Sequence, residues 1–137
     1  MLVDFTIHIV DGRKPMDVQV KIHDNLAALR SAATRHTNVW VDPPVNGDHS
    51  RVLGICHRFH LDNDPVVAIV RLAPPELGIG IISHELAHAA VWIREIETKF
   101  EKQPIDCSND ERFCWILGWL VHCTVEVMYQ NGLEIRV

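Results

Sequence analysis

Two histidines and a glutamate in the segment His84-Glu85-Leu86-Ala87-His88 carry the most legible chemistry of this chain. On a helix, residues four apart lie one turn above each other, so both imidazoles can reach one metal ion. Glu85 then projects about 100° around the helix from His84, beside the ion rather than onto it. A carboxylate in that place can take a proton from a metal-activated water and pass it to a leaving group. The ion that suits such a set is zinc. In a hydrolytic centre it takes three protein ligands and leaves its fourth position to water.

The third ligand has to come from elsewhere. Glu111, expected near the start of a second long helix, is the candidate, and Asp110 competes with it. The run Ser108-Asn109-Asp110-Glu111 is also a capping-box pattern, in which Glu111 would satisfy an orphan backbone amide. On the first helix Leu77, Ile81 and Val91 share the histidine stripe, while Ile82, Leu86, Ala89 and Ile93 cover the opposite side. That pattern predicts a helix buried on most of its circumference, where an unpartnered polar group would cost a few kcal/mol. On the second helix Glu111, Trp115, Gly118, His122 and Tyr129 share a narrow sector, with Glu126 close by. Gly118 is expected to let the first helix pack closely there. His122 lies about 16 Å from Glu111 by helix rise, which makes it a core histidine or a substrate contact rather than a ligand. Glu126 and Tyr129 read as packing groups around the site.

Other clusters carry less. Strand alternation sends His57 to the face opposite Cys56 and His60, which argues against a second metal site. Cys114 and Cys123 have no identifiable oriented base and read as buried thiols. No GxSxG elbow or glycine-rich phosphate loop is present.

These groups need a scaffold. Val3, Phe5, Ile7 and Ile9 alternate along a first strand, and Met16, Val18, Val20 and Ile22 along a second, joined through Asp11-Gly12 as a hairpin. Asp24 or Asn25 can cap a short helix bearing Leu26, Leu29 and Ala33. A loop is predicted from Val41 to Ser50, a strand from Val52 to Leu61, a turn at Asp62-Asn63-Asp64-Pro65, and an apolar strand from Val66 to Leu72. Pro74-Pro75-Glu76 reads as the start of a helix running to about Thr98. A linker with Pro104 follows, then a helix from about Asn109 to Tyr129, stopped by Asn131-Gly132. Strands first and long helices last indicate a compact α+β domain spanning residues 1–137.

The 137 residues suffice for one hydrophobic core. A net charge of −5 gives no electrostatic reason to expect nucleic acid or an anionic membrane as partner. The N-terminal segment lacks the basic and apolar regions of a signal peptide, and no apolar run approaches the ~20 residues of a membrane span. Cys56, Cys107, Cys114 and Cys123 form no CxxC pair, the usage expected of reduced thiols in the cytoplasm.

With HELAH after a strand, and an acidic residue 23 positions after His88, the chain resembles small zincin-like metallopeptidases of the gluzincin type. It is most similar to the ImmA/IrrE-like group and to small predicted bacteriophage zinc peptidases. The resemblance rests on Pro65 to Leu72, His84 to His88, and Asp110 to Trp115, in about the C-terminal half. It implies a zincin-like fold, one zinc ion, and hydrolysis of a peptide bond in a peptide or protein substrate. By position His84, His88 and Glu111 would be the ligands and Glu85 the general base. The strand Val66 to Leu72, at a sheet edge, would hold an extended peptide by strand addition, with Arg71 as a substrate contact. The alternative is a noncatalytic zincin domain that binds metal and acts in interaction or assembly.

Overall fold

The computed structural model describes residues 1–12, 14–35, 40–41, 52–101 and 110–137. The elements follow the order β1 (Val3–Ile9), β2 (Met16–Ile22), α1 (Leu26–Thr34), β3 (Trp40–Val41), β4 (Ile55–Arg58), β5 (Val66–Leu72), α2 (Ile79–Glu101) and α3 (Glu111–Gln130). They form an α+β fold around a five-stranded mixed sheet of order β1-β2-β5-β4-β3. The loop expected over residues 41–50 lies outside the described residues apart from Val41, and so do the linker with Pro104 and Ser108 of the expected capping box.

The hairpin forms as its alternation requires. Val3 pairs with Ile22 and Ile9 with Met16, and all four apolar residues of β2 are buried. Asp11, with φ 61°, makes the left-handed turn that aspartate tolerates. Parallel pairing of β2 with β5 places α1 on the crossover, its N-terminus capped by Asn25, whose side chain accepts from Ala28 N. Leu29 and Ala33 of α1 pack with Ile55 and Ala73 on one face of the sheet. The main core lies on the other face, where Val18, Val20, Val70, Leu72 and Cys56 meet Ile82, Leu86, Ile93, Ile116 and Leu120 of α2 and α3.

Strand β5 is central and paired on both edges, with β2 and with β4. The expected peptide-binding edge is therefore corrected: strand addition along Val66–Leu72 is blocked by its own neighbours. The near-continuous apolar run is the signature of a strand buried on both faces. Strand β4 keeps only Ile55–Arg58 of the expected Val52–Leu61, while Leu53 and Leu61 are exposed.

The first long helix starts at Ile79 rather than at the prolines. Arg136 N donates to Leu77 O, and Ile79 N to Arg136 O, so Gly78 is held in an isolated bridge instead of a helical turn. Helices α2 and α3 run antiparallel: the beginning of α3 meets Glu97 late in α2, and the chain returns at Arg136 to Gly78. Among the described residues no helix is long and apolar enough to cross a membrane.

Candidate metal centre

Helix α2 is two-sided. Ile82, Leu86, Ala89, Ala90, Ile93 and Ile96 are at most 2% exposed. His84 and Val91 face solvent, with the His84 side chain 66% exposed. The expected burial on most of the circumference therefore holds except along one line: Leu77 is buried and Ile81 and His88 are half-buried, but His84 and Val91 are exposed, because the sheet and α3 claim the aliphatic side of the helix.

The pair itself converges. His84 Nε2 and His88 Nε2 are 3.1 Å apart, with ring centroids 4.8 Å apart and nearly perpendicular. Two readings satisfy that separation. One Nε2–H donates to the other ring's lone pair, or both lone pairs point at a common cation. Zinc–nitrogen bonds of about 2.0–2.1 Å at a tetrahedral angle put ligand nitrogens about 3.3–3.4 Å apart, within a few tenths of an ångström of the observed value. The imidazoles therefore fit a zinc ion with little rearrangement.

Glu85 sits between the pair and the sheet. Its Oε1 lies 4.0 Å from His84 Nε2, and the residue is buried. Burial comes from the segment entering β4. A Cβ built on Gly54 would stand 3.0 Å from Glu85 Cγ and 3.1 Å from Ile81 Cγ2, so the missing side chain at position 54 lets the backbone pass against the glutamate. The same flank of α2 continues to Trp92, whose Nε1 donates to Phe59 O at 3.1 Å with the Arg58 guanidinium over its ring. Gly54 was not singled out from sequence. A glycine just ahead of a strand in an otherwise apolar segment was the available signal.

The acidic candidates are placed differently. Asp110 caps α3, its Oδ1 accepting from Phe113 N at 2.8 Å and from Arg94 Nε at 3.0 Å. Those bonds hold it at the end of α2 far from the histidines. Glu111, exposed in the first turn of α3, stands at the same end. Asp110 meets α2 at Arg94, six residues beyond His88 and ten beyond His84, or about 9–15 Å along the axis. The structure does not bring Glu111 to the pair, and among the described residues no group of three or more His, Cys, Asp or Glu could hold a metal ion.

The aromatic sector of α3 also turns outward. Trp115 and Tyr129 are 41% and 82% exposed, His122 and Glu126 are exposed, and a Cβ on Gly118 would meet nothing. The buried stripe is Ile116, Leu120, Thr124 and Met128. His122 is therefore neither a core histidine nor a neighbour of the centre. It lies 3.3 Å from Glu126 and stacks on Trp119. Gly118 plays no part in helix packing.

What fastens α3 to α2 is an ion cluster that sequence reasoning missed. Arg94 donates to Glu97 Oε1 at 3.0 Å and to Asp110, and Arg112 Nη2 donates to Glu97 Oε2 at 2.9 Å. Burial works against the Arg94 charge, yet its hydrogen bond to Glu97 and the nearby carboxylates hold it above the usual arginine value. The i,i+3 spacing of Arg94 and Glu97 was the only local signal.

The cysteines stay apart. Cys56 is buried, Cys114 is exposed rather than buried as expected, and Cys123 is half-buried. Burial, with Glu126 beside it, pushes the Cys123 thiol up, which disfavours the reactive thiolate. Arg71 is buried and points to the α1 side, where it contacts His57 and His23. The expected role as a substrate contact beside the histidines is corrected, because alternation along β5 turns its side chain away from α2. Comparison with family models, with curated proteins and with solved structures gives no match.

Proposed function

We propose that this chain is a zinc-dependent hydrolase of peptide bonds, of the HExxH kind, with His84 and His88 holding the ion and Glu85 acting as general base. The observation that carries the reading is the convergence of two Nε2 atoms at 3.1 Å on an exposed helix face, with a buried carboxylate beside them. When bound, zinc lowers the pKa of a coordinated water and polarises a carbonyl. Glu85 takes the proton of the attacking water at Oε1 and returns it to the departing amine. The packing of Glu85 against Gly54 limits its rotamers, so the proton acceptor is held in place before substrate arrives. The exposed histidine face admits an extended chain without opening the core.

Glu111 fits this centre less well than the histidines, because it stands at the far end of α2. In this account Glu111→Gln leaves zinc affinity unchanged, whereas a ligand role predicts a loss of tenfold or more in a chelator competition. A cytoplasmic location belongs to the same reading, with Cys114 and Cys123 as free thiols.

The test is hydrolysis of an unstructured protein substrate by zinc-loaded wild type and by Glu85→Gln. The variant keeps its zinc and loses turnover by about 10²–10⁴-fold. Equal zinc with equally absent turnover in both proteins would favour the noncatalytic domain.

A further inference from the structure

Strand β1 forms one edge of the sheet and pairs, among the described strands, with β2 alone. An edge strand leaves a row of amides and carbonyls without strand partners, and proteins commonly blunt it with proline, a bulge or an inward-pointing charge. Residues 3–7 carry none of these. Their register with β2 is unbroken, and the side chains turned toward the helices are Val3, Phe5 and Ile7. Asp4, on the opposite face, is engaged by Lys21 and Gln19. The edge is first covered where the strand ends: Trp119 Nε1 donates to His8 O and Arg112 Nη2 to Val10 O, both at 3.0 Å.

Helix α3 runs alongside this edge. A cavity of about 530 Å³ lies between them, with residues 5–8 of β1 on one wall and Trp119, Cys123, Glu126 and Val127 of α3 on the other. Phe5, Trp119, Cys123 and Val127 are half-buried, so an apolar floor stays partly open to water. Glu126 is exposed at the rim, with His122 Nε2 at 3.3 Å. No lysine or arginine lines the cavity among the described residues. These features select the occupant. An extended segment laid against residues 3–7 pairs with the backbone row and sends every second side chain onto the floor of Trp119, Cys123 and Val127. A helix could cover that floor but would leave the edge amides and carbonyls of β1 unpaired. A second copy pairing β1 with β1, core faces aligned, would bring its own α3 to the side where Trp119 already reaches His8 O. Glu126 and the net charge of −5 favour a basic residue on the occupant.

We infer that the groove between β1 and α3 is a docking site for an extended peptide segment, apolar at alternate positions and carrying a lysine or arginine at the Glu126 end. The added strand extends the sheet beyond β1, on the far side from β4, where Glu85 packs against Gly54. The site is separate from the proposed metal centre and stands without it.

The experiment titrates the full chain with a short fluorescent peptide that alternates valine and threonine and ends in lysine, followed by anisotropy and by the amide NMR signals of the protein. Binding saturates, and the largest shifts fall in residues 3–7 and in Trp119, Cys123 and Val127. N-methylation of the alternate peptide amides that face β1 weakens binding by more than about tenfold, and methylation of the other set leaves it within about twofold. Glu126→Lys weakens binding about two- to fivefold, the worth of an exposed ion pair, and strengthens binding of the same peptide ending in glutamate. Absent or unsaturable binding, an equal response to both methylated sets, or shifts outside the groove would overturn the assignment. Self-association of the free chain that produces the same β1 shifts would overturn it too, by giving the edge to a second copy.

Discussion

Adding one methyl group at position 54 probes the closest contact between the proposed general base and the sheet. In Gly54→Ala the new Cβ would approach Glu85 Cγ to 3.0 Å and Ile81 Cγ2 to 3.1 Å, while Arg71 O at 3.5 Å is an ordinary contact. Overpacking of this kind costs about 1–3 kcal/mol. The backbone at Gly54 is not left-handed, so alanine adopts it without strain and gains about 0.4–1 kcal/mol through the unfolded chain. The balance is a destabilisation of about 1 kcal/mol, or about 2–5 °C in Tm for a domain of this size. Urea denaturation of a double-mutant cycle with Glu85→Ala isolates the contact. Removing Cγ relieves the closer of the two clashes, so the cost of Gly54→Ala shrinks toward zero in that background, a coupling of about 0.5–1 kcal/mol. An equal cost in both backgrounds, or a more stable single variant, would refute the claim that Gly54 positions Glu85.

Two further outcomes follow from the charged groups. Glu97→Ala leaves Arg94 and Arg112 without their shared carboxylate, and with both guanidinia largely shielded the loss is about 3 kcal/mol by urea denaturation. His23 is held neutral in the fold by burial and by Arg71, so its pKa lies below the ordinary 6.5. Its contribution to stability is complete above pH 6.5 and erodes as pH falls from there toward the lowered folded value, because the unfolded chain binds the proton first. A flatter stability–pH profile between pH 7.5 and 5.5 in His23→Gln checks the sign.

Much of the scaffold was legible because its patterns are local. The alternation of Val3 to Ile9 and Met16 to Ile22, the Asn25 cap and the turn at Asn63 each depend on residues adjacent in sequence, and each is found. Strand β5 was legible in its bounds but not in its place. Its apolar continuity, Val66 to Leu72, is the pattern of a central strand buried on both faces rather than of a peptide-binding edge. Helix α3 has two stripes of large side chains, one aromatic and one aliphatic, and local sequence does not say which faces inward. The tertiary partners chose the aliphatic stripe of Ile116, Leu120 and Met128, leaving Trp115 and Tyr129 outside.

The site divides in the same way. The His84–His88 convergence follows from helix geometry alone and was readable at the level of spacing. The close pass of Gly54 against Glu85, thirty-one positions apart, is set by how β4 lies beneath α2 and leaves no mark in local sequence. The position of Glu111 depends on where the Arg94–Glu97–Arg112–Asp110 cluster fastens the two helices. A helix-start glutamate carries no record of that register.

The central claim is that His84 and His88 hold a zinc ion, and metal content after exhaustive dialysis with limiting zinc tests it most directly. Wild type is expected to retain one zinc per chain, and His84→Ala and His88→Ala to lose it while keeping their fold by circular dichroism. The same substoichiometric trace of zinc in all three proteins would contradict the account and leave the histidine pair as a surface hydrogen bond.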